Sequence, residues 1–150
     1  MILEPRTVKL TTRTGVEVHR TIPHGRRRTI GAWCFVDHFG PTQQTDGMIV
    51  AAHPHMGLQT VTWLLEGEVE HRDSVGSVQH VRPGEVNVMT SGDGIAHSEL
   101  SLASTDYLHA VQLWVALPDA HRHQPASFEH RGDLPVINLD EGVVATVFVG

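Results

Sequence analysis

Val, Thr, Leu and aromatic residues recur in short runs along this chain: Val16–Val18, Gly31–Phe39, Thr60–Leu65, Glu68–Arg72, Ser77–Val81, Glu85–Met89, Leu108–Leu117 and Val143–Val149. Gly, Pro, Asp and Ser separate them, as in Glu66-Gly67-Glu68, Asp73-Ser74-Val75-Gly76-Ser77 and Arg82-Pro83-Gly84. β-Branched and aromatic side chains suit a pleated, half-buried surface, and the residues between them suit tight turns. The pattern predicts an all-β sandwich or barrel. No stretch sustains a 3.6-residue apolar period, and Asp119–Gln124, after Pro118, is predicted to form a single turn.

Two short pairs interrupt this texture with chemistry. His53-Pro54-His55 and His97-Ser98-Glu99 each place chelating groups at i and i+2. Those positions share a face of an extended strand, so three imidazoles and one carboxylate can converge on one point. A nitrogen and oxygen donor set without thiolate suits Fe(II), Mn(II), Ni(II), Cu(II) or Zn(II) better than the all-oxygen cages of Ca(II) or Mg(II). Turn-forming Met56-Gly57 and Gly92-Asp93-Gly94 adjoin the pairs. The chain holds 12 His, and those outside the two pairs read in general as surface or hydrogen-bonded core groups. His19, His24, His121, His123 and His130 lie in polar or loop-like stretches and read as solvated. His80 and His109 lie on strand patterns with no chelating i+2 partner.

A chain of 150 residues is one domain's worth, long enough to bury a core without staples, and residues 1–150 are expected to form a single domain. Its one cysteine, Cys34, excludes an intrachain disulfide and fits a reducing cytoplasm. Inside Ala32-Trp33-Cys34-Phe35-Val36 it reads as a small buried hydrophobe. The opening residues Met1–Arg6 contain no apolar signal core, and no apolar run approaches the roughly 18 residues of a membrane span, so neither secretion nor membrane insertion is expected. A net charge of −6 argues against broad nucleic-acid binding. The short basic run Arg26-Arg27-Arg28 reads as a solvated loop.

The stretch from His53 to Ser74, the stretch from Pro83 to Glu99, the upstream Asp37-His38-Phe39-Gly40-Pro41 and the downstream Leu113-Trp114-Val115-Ala116-Leu117-Pro118 together resemble the pirin family of cupins. The resemblance covers about residues 16 to 150. It implies a double-stranded β-helix of the jelly-roll type with a metal at the open end of the barrel. His53, His55, His97 and Glu99 match the four metal-binding positions of that family, whose usual metal is iron. The general cupin pattern would put its acidic ligand four residues after the second His, where this chain has Gln59, a neutral amide. That leaves Glu99 as the acid of the motif. The chain departs from the family in two ways: Met56 stands where pirins generally carry Arg, and these 150 residues hold one barrel where a typical pirin has a second, metal-free one, so the chain is expected to be either a piece of a two-barrel protein lacking its C-terminal cupin or a single-cupin relative.

The resemblance further implies a quercetinase-type dioxygenase. A small aromatic substrate, a flavonol, would chelate the metal through its 3-hydroxyl, and Glu99 would serve as ligand and as the base for that proton. Four protein ligands on a six-coordinate iron leave two positions for substrate, water or O₂. Thr62 and Trp63 are candidate pocket residues. The alternative implied by the same family is a metal-dependent regulator that binds a protein partner; a vestigial, purely structural site is a third reading. A deep apolar pocket would favour the enzyme and a charged, exposed rim the regulator. The β-branched run Val143–Val149 is expected to present a pairing edge, and a two-fold homodimer follows.

Overall fold

Each strand-forming run of the sequence overlaps a strand in the computed structural model, which describes residues 2–10, 16–43, 47–102 and 107–148. The strands are β1 (Arg6–Lys9), β2 (Glu17–Ile22), β3 (Trp33–Gln43), β4 (Ile49–His55), β5 (Leu58–Glu66), β6 (Val69–Asp73), β7 (Val78–Val81), β8 (Val86–Thr90), β9 (Ile95–Ser101), β10 (Tyr107–Ala116), β11 (Ser127–Arg131), β12 (Val136–Asn138) and β13 (Val144–Thr146). A single 3₁₀ turn, Asp140–Gly142, is the only helical element among the described residues. Asp119–Gln124 is a turn, as predicted, closed by bonds from the His121 and Arg122 amides to the Pro118 carbonyl.

Seven strands form one antiparallel sheet in the order β1-β2-β3-β10-β5-β8-β11, and four form a second in the order β4-β9-β6-β7. This is the cupin jelly roll. Alternation along the central strand β5 explains the packing: Thr60, Thr62 and Leu64 are buried on one face and Val61 on the other. Val18, Phe39, Leu64, Leu108 and Ala110 of the large sheet meet Val69 and Val81 of the small one, with Met48 among them, in a single apolar cluster. That cluster fills one part of the interior. Elsewhere the space between the sheets also holds buried polar side chains, among them His55, His71, His97 and Glu99.

Composition alone did not mark β1, β4, β9, β11 or β12 as strands. β4 is the instructive case, because its sequence Ile49-Val-Ala-Ala-His-Pro-His55 contains a proline that cannot donate to a ladder. β4 lies at the edge of its sheet, where that missing donor is tolerated. The predicted run Val143–Val149 is corrected: only Val144–Thr146 is strand, it pairs with β12 as a separate hairpin, and Val149 lies outside the described residues. Cys34 is half-buried, its thiol donates to the Trp114 carbonyl at 3.4 Å, and burial raises its pKa. Arg26, Arg27 and Arg28 are exposed. No helix among the described residues is long and apolar enough to cross a membrane.

Candidate metal centre

The two histidine-bearing strands are hydrogen-bonded neighbours, and the register sets His53 directly opposite His97. His55 shares the face of His53, so all three rings meet inside the barrel. His55 Nε2 lies 3.0 Å from His53 Nε2 and 3.1 Å from His97 Nε2. His55 and His97 are buried, and His53 is half-buried. The turn that launches β9 depends on Gly92, whose φ is +49°; a Cβ there would collide with the Gln124 carbonyl oxygen.

Imidazole nitrogens at these separations can share a ring hydrogen or a common ion. His53 donates its Nδ1–H to the Ala51 carbonyl at 2.9 Å, which turns its Nε2 toward the other two rings. Burial, with the neighbouring histidines adding to it, lowers the His55 pKa to about 4 against a smaller opposing pull from Glu99. Burial likewise takes His97 to about 3, with His53 and His71 adding and Asp73 opposing. At neutral pH His55 and His97 are uncharged donors, the state in which imidazole binds a metal, and His53 Nε2 is aimed at the same point. The donor set fits a transition-metal ion.

Glu99 follows His97 by two residues and faces the same interior, buried. Its carboxylate accepts from the Thr62 hydroxyl at 3.3 Å and from the Gln112 amide, whose nitrogen is 3.2 Å from both oxygens. His53, His55 and His97 form one tight group of potential ligand atoms; Glu99 falls in a second group with His71 and His97. The sequence reading missed His71, Asp73 and Gln112. His71-Arg72-Asp73 is a third i, i+2 pair of chelating residues, and in register His71 faces Glu99 while Asp73 faces His97. Its spacing was available in the sequence. Gln112 carried no comparable signal.

A cavity of about 390 Å³ opens beside these groups, walled by Phe39, Val50, Ala51 and Trp114 and bearing His53, Glu99 and Gln112. Arg20 and Asp37, direct cross-strand partners, close part of its wall with paired bonds of 2.7 and 2.6 Å. Met56 is exposed at 66%. Thr62 faces the site as expected. Trp63 does not: strand alternation turns it outward, where it stacks on Phe148 with ring centroids 5.0 Å apart. Gln59 is also turned away, bonded to Thr90.

The other histidines behave largely as read. His19, His121 and His123 are exposed. His24 and His130 are half-buried instead, and His130 is bonded to Asn87 at 2.7 Å. His80 sits between Glu68 and Glu70, and His109 contacts His38 at 2.8 Å.

The pirin family model matches residues 15–115. The chain is 50% identical over 138 residues to a Pseudomonas aeruginosa protein named "Putative quercetin 2,3-dioxygenase", covering 91% of this chain and 44% of that one. The crystal structure of a quercetin 2,3-dioxygenase from Acinetobacter baumannii superposes with a TM-score of 0.93 at 46% identity, covering 98% of this chain and 49% of the other. A bacterial pirin from Escherichia coli, solved in complex with nickel(II), superposes with a TM-score of 0.68 at 27% identity, covering 87% of this chain and 57% of that one. The chain thus spans less than half the length of the relative with which it shares half its residues. On the family match over its barrel strands, this chain belongs to the pirin family of cupins.

Proposed function

We propose that His53, His55, His97 and Glu99 hold one transition-metal ion, iron(II) foremost and Mn, Ni, Cu or Zn as alternatives, and that the site carries out quercetin 2,3-dioxygenase-type chemistry on a flavonol. The observation that carries this reading is the convergence of three imidazole nitrogens beside a cavity with apolar walls. The nickel complex of the E. coli pirin and the quercetin dioxygenase names of the relatives support the same class. In this reading the chain is one metal-bearing cupin domain.

A bound ion of this kind supplies a Lewis acid for a chelating oxygen and, if redox-active, access to O₂ chemistry. The rest falls to the chain. Phe39, Val50 and Trp114 receive the flat aromatic rings and exclude water from one side of the cavity. Glu99 takes the proton of the substrate's 3-hydroxyl, and Gln112 and Thr62 fix the carboxylate for that transfer. The regulatory alternative calls for an exposed metal with a charged rim; apolar walls and an internally paired Arg20–Asp37 favour a small aromatic ligand instead.

Metal analysis of anaerobically purified protein, joined to O₂ uptake on quercetin, tests the reading. One ion per chain and quercetin-dependent uptake are expected. Metal without uptake would return the regulator, and absence of metal would remove both.

A further inference from the structure

Behind His97, on the side away from His53 and His55, a second histidine and an aspartate continue inward. His71 Nδ1 lies 3.4 Å from His97 Nδ1, and His71 Nε2 lies 3.1 Å from Asp73 Oδ2. The two side chains are 4% and 0% exposed, so water does not compete for these contacts. We propose that Asp73 and His71 form a positioning relay that fixes the tautomer and ring orientation of His97. The inference rests on the metal reading of the preceding subsection.

Donor and acceptor counting sets the direction. An ionised carboxylate only accepts, so the nitrogen of His71 facing Asp73 carries the hydrogen. In the proposed relay the other nitrogen of His71, Nδ1, is the acceptor that faces His97. His97 answers with Nδ1–H, and its Nε2, the atom 3.1 Å from His55 Nε2, is left as a lone pair toward the centre. A carboxylate behind a ligating imidazole is the usual means of holding a metal ligand in place; here one more imidazole is interposed.

The carboxylate itself is held by the local sequence. Asp73 begins the turn Asp73-Ser74-Val75-Gly76-Ser77, and its Oδ1 accepts from the Val75 and Ser77 amides at 3.0 and 2.9 Å. Oδ2 is thereby left to face His71. Phe128 of β11 stacks on the His71 ring at 4.4 Å and 18°, restricting its rotation. Each member of the relay is thus fixed by something other than the metal.

Asp73→Asn discriminates. Its Oδ1 keeps the turn capped, while its amide turns a donor toward His71 Nε2 and forces the hydrogen onto Nδ1, against that of His97. Zinc(II) alone, titrated into the full chain against a chromophoric chelator, should bind about 10- to 100-fold more weakly in Asp73→Asn and in His71→Phe. His71→Gln, whose carbonyl oxygen can still accept from His97, should recover most of the loss. Long-range proton–nitrogen NMR of the zinc-loaded parent should report His71 protonated at Nε2, and Asp73→Asn should move that proton to Nδ1. Unchanged zinc affinity in Asp73→Asn would overturn the relay and leave the metal reading standing. So would losses that merely track a lower melting temperature of the metal-free variants. Two zinc ions per chain, falling to one in His71→Phe, would also overturn it, by making His71 a ligand. A parent chain that takes up no zinc would remove the metal reading and the relay together.

Discussion

Gln112 reaches across the barrel from β10 and places one amide nitrogen 3.2 Å from each carboxylate oxygen of Glu99. The two oxygens lie too close together, seen from that nitrogen, to take separate N–H groups, so one N–H is shared between them and restrains the carboxylate. Gln112→Leu removes that N–H at nearly constant volume. A hydrogen bond to a charged group contributes about 1.5–3 kcal/mol, so kcat/KM for O₂ uptake on quercetin should fall about 10- to 100-fold. Steady-state kinetics against the parent checks this, and unaltered kinetics would show that Glu99 is oriented by other contacts.

Replacing His97 or Glu99 by Ala should remove most of the bound metal, whereas His80→Ala and His109→Ala should retain it. His80 of β7 is engaged by Glu68, just before β6, and by Glu70 of β6, and His109 pairs with His38. Elemental analysis after exhaustive dialysis separates the two classes. Equal loss from all four would mean that destabilisation, and not ligation, governs retention.

The metal-free barrel should lose stability as pH falls below the ordinary imidazole value. His55 and His97 titrate at about 4 and about 3 in the folded chain against 6.5 ordinarily. Between these limits the unfolded chain binds protons that the folded one refuses, so stability drops with falling pH there and is flat, for these two groups, above it. His53, His71, Asp73 and Glu99 face the same pair. Urea midpoints taken from pH 7 to pH 5 should decline, and His97→Gln should flatten the slope. A midpoint rising toward pH 5 would contradict the assignment.

The β12–β13 hairpin exposes Val136 at 59% and Val144 at 60%, with Ile137, Leu139, Val143 and Val147 beside them also exposed. Exposed apolar side chains on a short two-stranded sheet favour association, most simply as a two-fold dimer of this chain. Light scattering at high micromolar concentration should report the dimer, and Val144→Lys should shift it toward monomer. A monodisperse parent monomer would refute the expectation.

The period of two in a β-strand is local, and so the sequence by itself determined the pairs His53/His55 and His97/Glu99, the turn-separated strands and the all-β class. Even there, composition hid β4 and β9, because chelating residues and Pro54 replaced the β-branched signature on the strands that matter most. Tertiary structure decided the rest. His71 joins His97 only because β6 pairs with β9 in one register, and a slip of one residue would turn His71 and Asp73 to the outside. Gln112 meets Glu99 only because the two sheets face each other across the barrel. Trp63 faces outward and Thr62 inward by the same alternation, but which face is interior is set by the sheet packed against it. Spacing along the chain tells which side chains can point together; only the pairing and packing of distant strands tells what they meet.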